Sequence, residues 1–160
     1  MPGRLERVPG PRGPTVLVDY AHTPDALHSV LAAVSEIAVG AVWVVFGCGG
    51  DRDAGKRPEM GRAAEQGADR VVVTSDNPRS ENPDAIIADV VSGTEGVEVH
   101  RIADRRQAIQ AAILGAADDD VVLVLGKGHE RSQEIGDRVM PFDDRVVSRA
   151  AIERRRGHSR

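Results

Sequence analysis

Apolar residues fall into short runs separated by stretches of helical spacing. Residues 16–19 form a β-branched run, and Thr23-Pro24-Asp25 then reads as a helix start. Thr caps, Pro takes the first helical position and Asp faces the positive end of the dipole. Leu27, Val30, Leu31, Val34 and Ile37 follow on one helical face. The unit recurs. Residues 42–46 are continuously apolar, as a strand buried on both faces should be, and lead through a glycine-rich loop to a helix near Pro58 that Gly67 is expected to stop. Residues 71–74 predict a third strand, and Asn82-Pro83 opens a helix carrying Ile86, Ile87, Val90 and Val91. Residues 97–102 predict a fourth strand, Asp104 caps a helix carrying Ala108, Ile109, Ala112 and Ile113, and residues 121–125 predict a fifth strand. The pattern then changes. Residues 133–135 and 138–142 flank Gly136-Asp137, a hairpin or an antiparallel edge. A last helix starts near Asp143 with Val146, Val147 and Ala150 inward. The first stretch, with Pro2, Gly3, Pro9, Gly10, Pro11, Gly13 and Pro14, reads as a linker or the tail of a preceding domain.

Repeated strand–helix units predict an α/β fold: a Rossmann-like, mostly parallel sheet of about six strands, helices on both faces, one strand an antiparallel edge. Residues 15–160 are expected to be one domain, and residues 1–14 a hinge or the end of what precedes it.

Composition removes several function classes. The net charge of −4 gives no basic face for nucleic acid. No apolar run approaches the roughly 20 residues that cross a bilayer, and residues 1–14 do not resemble a secretory signal. Cys48 is the sole cysteine, so no internal disulfide forms and a reducing, cytoplasmic setting is expected. Arginine far outnumbers lysine; Lys56 and Lys127 are the two lysines, both in glycine-containing loops. Codon bias accounts for this, or else these loops need a compact ammonium rather than a guanidinium fork.

In an open parallel sheet, ligands bind outside the carboxyl ends of the strands. After the first strand comes Asp19-Tyr20-Ala21-His22, and after the second Gly47-Cys48-Gly49-Gly50-Asp51-Arg52-Asp53. After the third comes Ser75-Asp76-Asn77-Pro78-Arg79, and after the fifth Gly126-Lys127-Gly128-His129-Glu130. This edge suits a small zwitterion, since an Arg fork pairs with a carboxylate and a Glu with an ammonium. Each cluster also has a plainer reading. Asp19 and His22 serve a turn equally well, Asp76-Asn77-Pro78 is good turn sequence, Arg79 is compatible with simple solvation, and Cys48 suits a buried filler better than a nucleophile. The glycine and lysine spacing from Gly50 to Lys56 matches a Walker A loop. Arg57, however, stands where a magnesium-holding hydroxyl belongs, and Asp51 and Asp53 would repel phosphate. No catalytic triad, metal cluster or catalytic dyad is readable.

Val18-Asp19-Tyr20-Ala21-His22-Thr23-Pro24-Asp25-Ala26-Leu27, the 46–58 segment, Asp76-Asn77-Pro78-Arg79 and Gly126-Lys127-Gly128-His129-Glu130 together resemble the C-terminal domain of Mur ligases, in particular the UDP-N-acetylmuramoyl-tripeptide synthetases. The first motif is shared with the wider folylpolyglutamate synthetase superfamily; the last two are more specific. The resemblance covers nearly the whole chain. It implies part of an ATP-dependent amide-forming ligase that adds meso-diaminopimelate to UDP-N-acetylmuramoyl-L-alanyl-D-glutamate in peptidoglycan synthesis. By position it implies that Arg52, Asp76, Asn77, Pro78, Arg79, Gly126 and Glu130 hold or shape the site of the incoming amino acid. Arg79 would take the carboxylate that lysine lacks, and Glu130 would accept from an ammonium. Arg4, Asp19 and His22 would reach ATP. The family's phosphate loop, its magnesium ligands and its UDP-sugar-binding domain have no counterpart here. ATP and magnesium are therefore expected in a longer enzyme and not tightly on this domain, which is expected to be inactive alone and monomeric, with a hinge near residues 4–14. A lysine-adding relative and a non-catalytic amino-acid-binding module are the alternatives.

Overall fold

The computed structural model describes residues 4–10, 13–95 and 98–158, with side chains as far as Arg155. Pro2, Gly3, Pro11 and Val97, which the sequence reading assigned to the linker and the fourth strand, lie outside the described residues. In chain order the elements are β1 (Glu6–Arg7), β2 (Thr15–Asp19), α1 (Pro24–Ile37), β3 (Val42–Phe46), α2 (Lys56–Gly67), β4 (Arg70–Val73), α3 (Pro83–Val91), β5 (Val99–Arg101), α4 (Arg105–Gly115), β6 (Val121–Leu125), β7 (Ser132–Ile135), β8 (Arg138–Pro141) and α5 (Asp144–His158).

The main sheet has six strands in the order β1-β2-β6-β3-β4-β5. All pairs are parallel except β1 with β2. The alternation of side chains sorts the core into two layers. Val44, Val71, Val73 and Leu123 face Leu27, Leu31, Met60 and Ile87, so α1, α2 and α3 cover one side. Val45, Val72, Val122 and Val124 face Ile109, Ile113, Val147 and Ile152, so α4 and α5 cover the other. β6 is buried along its whole length because it lies between β2 and β3. Its insertion there splits two strands that follow one another in sequence, which is where an α/β sheet opens a crevice at its carboxyl edge.

The predicted caps hold. Thr23 Oγ1 accepts from Ala26 N at 3.1 Å, Asn82 Oδ1 from Asp84 N at 2.8 Å, and Asp104 Oδ1 from Gln107 N at 3.0 Å. Other expectations need correction. The antiparallel edge is present, but β1 supplies it, from the stretch read as linker; Val8, just beyond, is buried in the core. Residues 133–142 take the hairpin alternative, as a separate two-stranded sheet. Gly67 ends α2, yet not through a left-handed cap. A Cβ there would stand 2.7 Å from Leu31 Cβ, so the glycine lets α1 and α2 approach. Ile37, Val146 and Ala150 point to solvent; α5 instead buries Asp144, Val147, Ser148, Ala151 and Ile152.

Candidate functional site

Four loops converge at the carboxyl edge, following β2, β3, β4 and β6. Their mutual fit depends on glycine at two positions. Gly126 leaves β6 at φ 115°, a conformation that side chains rarely adopt. A Cβ on Gly50 would overlap the carbonyl of Pro78, so the loops after β3 and β4 touch backbone to backbone there. Gly50 N donates to Asn77 O at 2.7 Å across that contact.

The loops enclose a cleft of about 350 Å³ lined by Arg52, Asp76, Asn77, Arg79, Gly126 and Glu130 among others. Six of the seven residues expected to serve the amino acid are thus brought together. Pro78 is not on this wall; it is buried beneath Gly50 and faces a separate groove on the other side of the loop. The three residues expected at the nucleotide, Arg4, Asp19 and His22, line a second cleft of about 310 Å³. The two clefts adjoin, since Tyr20 and His22 line both. The Tyr20 and His22 rings meet edge-on with centroids 4.7 Å apart, and His22 Nδ1 lies 2.9 Å from Tyr20 O. Asp19 is occupied structurally: its two carboxylate oxygens accept from Leu5 N and Ala21 N, each at 2.8 Å. That clamp fixes the segment bearing Arg4 against the sheet.

Charge in the main cleft is divided. Arg52 and Arg79 supply guanidinium groups, Asp76 and Glu130 carboxylates. Burial, reinforced by the nearby Asp76 carboxylate, pushes the Glu130 carboxyl above its ordinary value, although Lys127, His22 and Arg105 pull the other way. An ammonium entering the cleft would satisfy both acids. Arg79 is held in a left-handed backbone conformation, φ 52°. Its N donates to Glu134 O at 3.0 Å, its O accepts from Gly136 N at 2.7 Å, and its Nη1 donates to Gly50 O at 2.8 Å. Its Nη2 stands 3.3 Å from a Glu134 carboxylate oxygen. The hairpin of β7 and β8 therefore grips the 76–79 loop and aims this guanidinium.

Three buried cations that were given no site role organise the edge. Lys127, fully buried, donates to Asn77 Oδ1 at 2.8 Å and Ser132 O at 3.0 Å, with Asp76 Oδ1 at 3.1 Å. Its rarity in this arginine-rich chain was the available signal, and the compact-ammonium reading fits the three acceptors. Arg57 reaches Gly49 O, Glu81 and Asp89, tying α2 to the loops after β3 and β4. Asp51 accepts from Ser80 Oγ at 2.6 Å, so the Walker-like spacing serves loop-to-loop bonding. Arg105 pairs with Asp144 at 2.7 Å and donates to Ser75 O and Leu125 O, the chain just past β4 and the end of β6. Tyr20, Gly47, Cys48, Gly49 and Lys56 also line the cleft without having been assigned to it. Cys48 is buried and its thiol is pushed up to about 12, chiefly by burial, which fits the filler reading.

The family described as "Mur ligase, glutamate ligase domain" matches residues 3–128. The chain is 55% identical over 157 residues to UDP-N-acetylmuramoyl-L-alanyl-D-glutamate--2,6-diaminopimelate ligase of Alkalilimnicola ehrlichii (strain ATCC BAA-1101 / DSM 17681 / MLHE-1), covering 98% of this chain and 32% of that relative. It is 52% identical over 161 residues to the protein of the same name from Acidovorax sp. (strain JS42), again covering 98% and 32%. A solved structure titled as UDP-N-acetylmuramoyl-L-alanyl-D-glutamate--2,6-diaminopimelate ligase superposes with a TM-score of 0.91 at 46% identity, over 98% of this chain and 32% of that one. The chain thus spans about a third of the length of the curated relatives it matches.

Proposed function

The chain belongs to the Mur ligase family as its glutamate ligase domain, and on that premise we propose that it is the amino-acid-delivering domain of an ATP-dependent ligase that joins meso-diaminopimelate to UDP-N-acetylmuramoyl-L-alanyl-D-glutamate in cell-wall synthesis. One observation carries the substrate assignment: Arg52 and Arg79 share a single cleft with Asp76 and Glu130. A zwitterion with a further carboxylate pairs with both sets, and each charge-assisted bond contributes about 1.5–3 kcal/mol. Glu130 and Asp76 take the ammonium; Arg79, aimed by the hairpin, takes the distal carboxylate.

The second cleft has the character of one wall of a nucleotide site. Arg4 is an exposed cation, and Ala26, Val30 and the Tyr20 ring provide apolar surface. ATP, when bound, would supply the phosphoryl group that activates the acceptor carboxyl. This chain's part is to hold the incoming amine across Tyr20 and His22 from that group and to exclude water there. Among the described residues no group of three or more His, Cys, Asp and Glu could hold a metal ion. No helix of the described residues is long and apolar enough to cross a membrane. Catalysis is proposed to require the remaining two thirds of the ligase.

The assignment is tested by NMR titration of this chain with meso-diaminopimelate and with L-lysine. We expect backbone shifts at residues 76–79 and 126–130 at lower concentrations of the former. Equal responses to both, or shifts confined to another face, would overturn it.

A further inference from the structure

The side-chain amide of Asn77 can be oriented without ambiguity. Its Oδ1 position receives Lys127 Nζ at 2.8 Å and Glu134 N at 3.0 Å. An ammonium and a backbone N–H only donate, so the atom facing them must be the oxygen. The nitrogen, Nδ2, therefore sits on the other arm of the amide. No described residue accepts from it, and Asn77 lines the main cleft.

Lys127 itself never meets the cleft. It is fully buried, and its remaining bonds go to Ser132 O and the Asp76 carboxylate. A buried ammonium is costly unless paired, and here every neighbour it pairs with belongs to, or borders, two of the four loops that build the amino-acid site. An arginine fork would not fit three acceptors gathered about one point, and a neutral residue would leave Asn77 Oδ1 with a single donor.

We infer that Lys127 is a positioning residue: by fixing Asn77 with Oδ1 inward, it presents Nδ2 to the cleft as a hydrogen-bond donor, alongside Arg79, for the carboxylate of the incoming amino acid. This rests on the amino-acid-site reading and deepens it. Residues 77 and 79 lie on one loop held by one hairpin, so the neutral amide donor and the guanidinium approach the same carboxylate from adjacent positions. Lys127 does not line the cleft; it acts there through that amide and through the Asp76 carboxylate it pairs with.

The test uses the full-length ligase carrying this domain, with steady-state KM for the amino acid, KM for ATP and thermal melting read for Asn77→Asp, Asn77→Ala, Lys127→Met and the Asn77→Ala/Lys127→Met pair. Asn77→Asp keeps an acceptor toward Lys127, forming an ion pair, but turns the cleft-facing donor into an acceptor. It should melt at or above the wild-type temperature while its amino-acid KM rises tenfold or more and its ATP KM changes less than twofold. A merely structural role would not separate these readings. Lys127→Met should raise the amino-acid KM comparably, with little further rise in the Asn77→Ala background; if that protein does not fold, Asn77→Asp alone decides. Asn77→Asp with an amino-acid KM within twofold of wild type would overturn the inference. A wild-type enzyme that couples another amino acid in place of diaminopimelate sinks the substrate assignment alone, and the Asn77 effect is then read on the amino acid it does couple.

Discussion

At the scale of residues, Arg79 carries the sharpest expectation. A bulky side chain at φ 52° is strained by about 1–3 kcal/mol, and such strain persists where the surroundings over-determine it. Both its backbone groups and its guanidinium are held by residues of neighbouring loops. Arg79→Ala in the full-length ligase should lower kcat/KM for diaminopimelate by about thirtyfold, the loss of about 2 kcal/mol for a charge-assisted pair. Unchanged kinetics would remove Arg79 from the site. Glu130 makes a second prediction. Its carboxyl is raised by burial and by Asp76, so in the empty cleft it stays protonated to a higher pH than an ordinary glutamate. The charged form is the one that pairs with an ammonium. Affinity for the amino acid should therefore rise as pH rises through that raised pKa, and Glu130→Gln should flatten the rise. Calorimetric titrations across the weakly acidic range check this; a flat wild-type profile counts against the pairing. The residues that meet the cleft were legible because each interrupts an apolar pattern at a strand end. Those that brace it from behind were less so: Lys127 was marked only by its rarity, and Arg57 and Arg105 by nothing local, because the side chains they bind, Glu81, Asn77 and Asp144, lie 24 to 50 positions away in the chain.

At the scale of elements, the hairpin is a brace as much as a sheet. Its two-residue turn has Gly136 at φ 62°, the pattern of a type II′ connection. β7 delivers Glu134 N to Asn77 and Glu134 O to Arg79 N. Gly136→Ala puts a side chain in a left-handed conformation at a cost of about 1–2 kcal/mol. Circular-dichroism melting should show a drop of a few degrees for a domain of this size. The amino-acid KM should rise more than stability alone explains, because the hairpin would shift the loop it grips. A variant that melts lower but binds normally would show the hairpin to be passive. Sequence pattern located this element and its turn but left its pairing open. β1 was not legible at all: Glu6–Arg7 has no alternation to read and is joined to the sheet by β2 and the Asp19 clamp. Helix faces went astray at their ends, where Ile37 and Val146 keep apolar side chains in solvent.

At the scale of the whole molecule, Arg105 joins the two helices of one covering layer, α4 and α5, to the functional edge. It arises from α4, pairs with Asp144 of α5, and bonds carbonyls just past β4 and at the end of β6. Neither partner of the ion pair is exposed. Removing one member strands the other in the interior, so Arg105→Ala or Asp144→Ala should destabilise the domain by about 3–5 kcal/mol in urea melts. An apolar replacement of both, Arg105→Met with Asp144→Leu, should recover part of that loss. Equal stability of the single variants and the wild type would mean the pair contributes nothing. The strand–helix alternation made the layered fold readable; the strand order was not, because inserting β6 between β2 and β3 is decided by packing across the entire chain.

The shared wall of Tyr20 and His22 has a consequence for ligand design. Under the proposed assignment, two small molecules of different chemistry rest on opposite sides of the same pair of rings. A single compound bearing an amino-acid end and a nucleotide-like end, joined across those rings, would convert the second binding event into an intramolecular one. Its avidity would then be set by the span of the tether rather than by any new contact, and a tether cut too short to clear Tyr20 would forfeit that gain entirely.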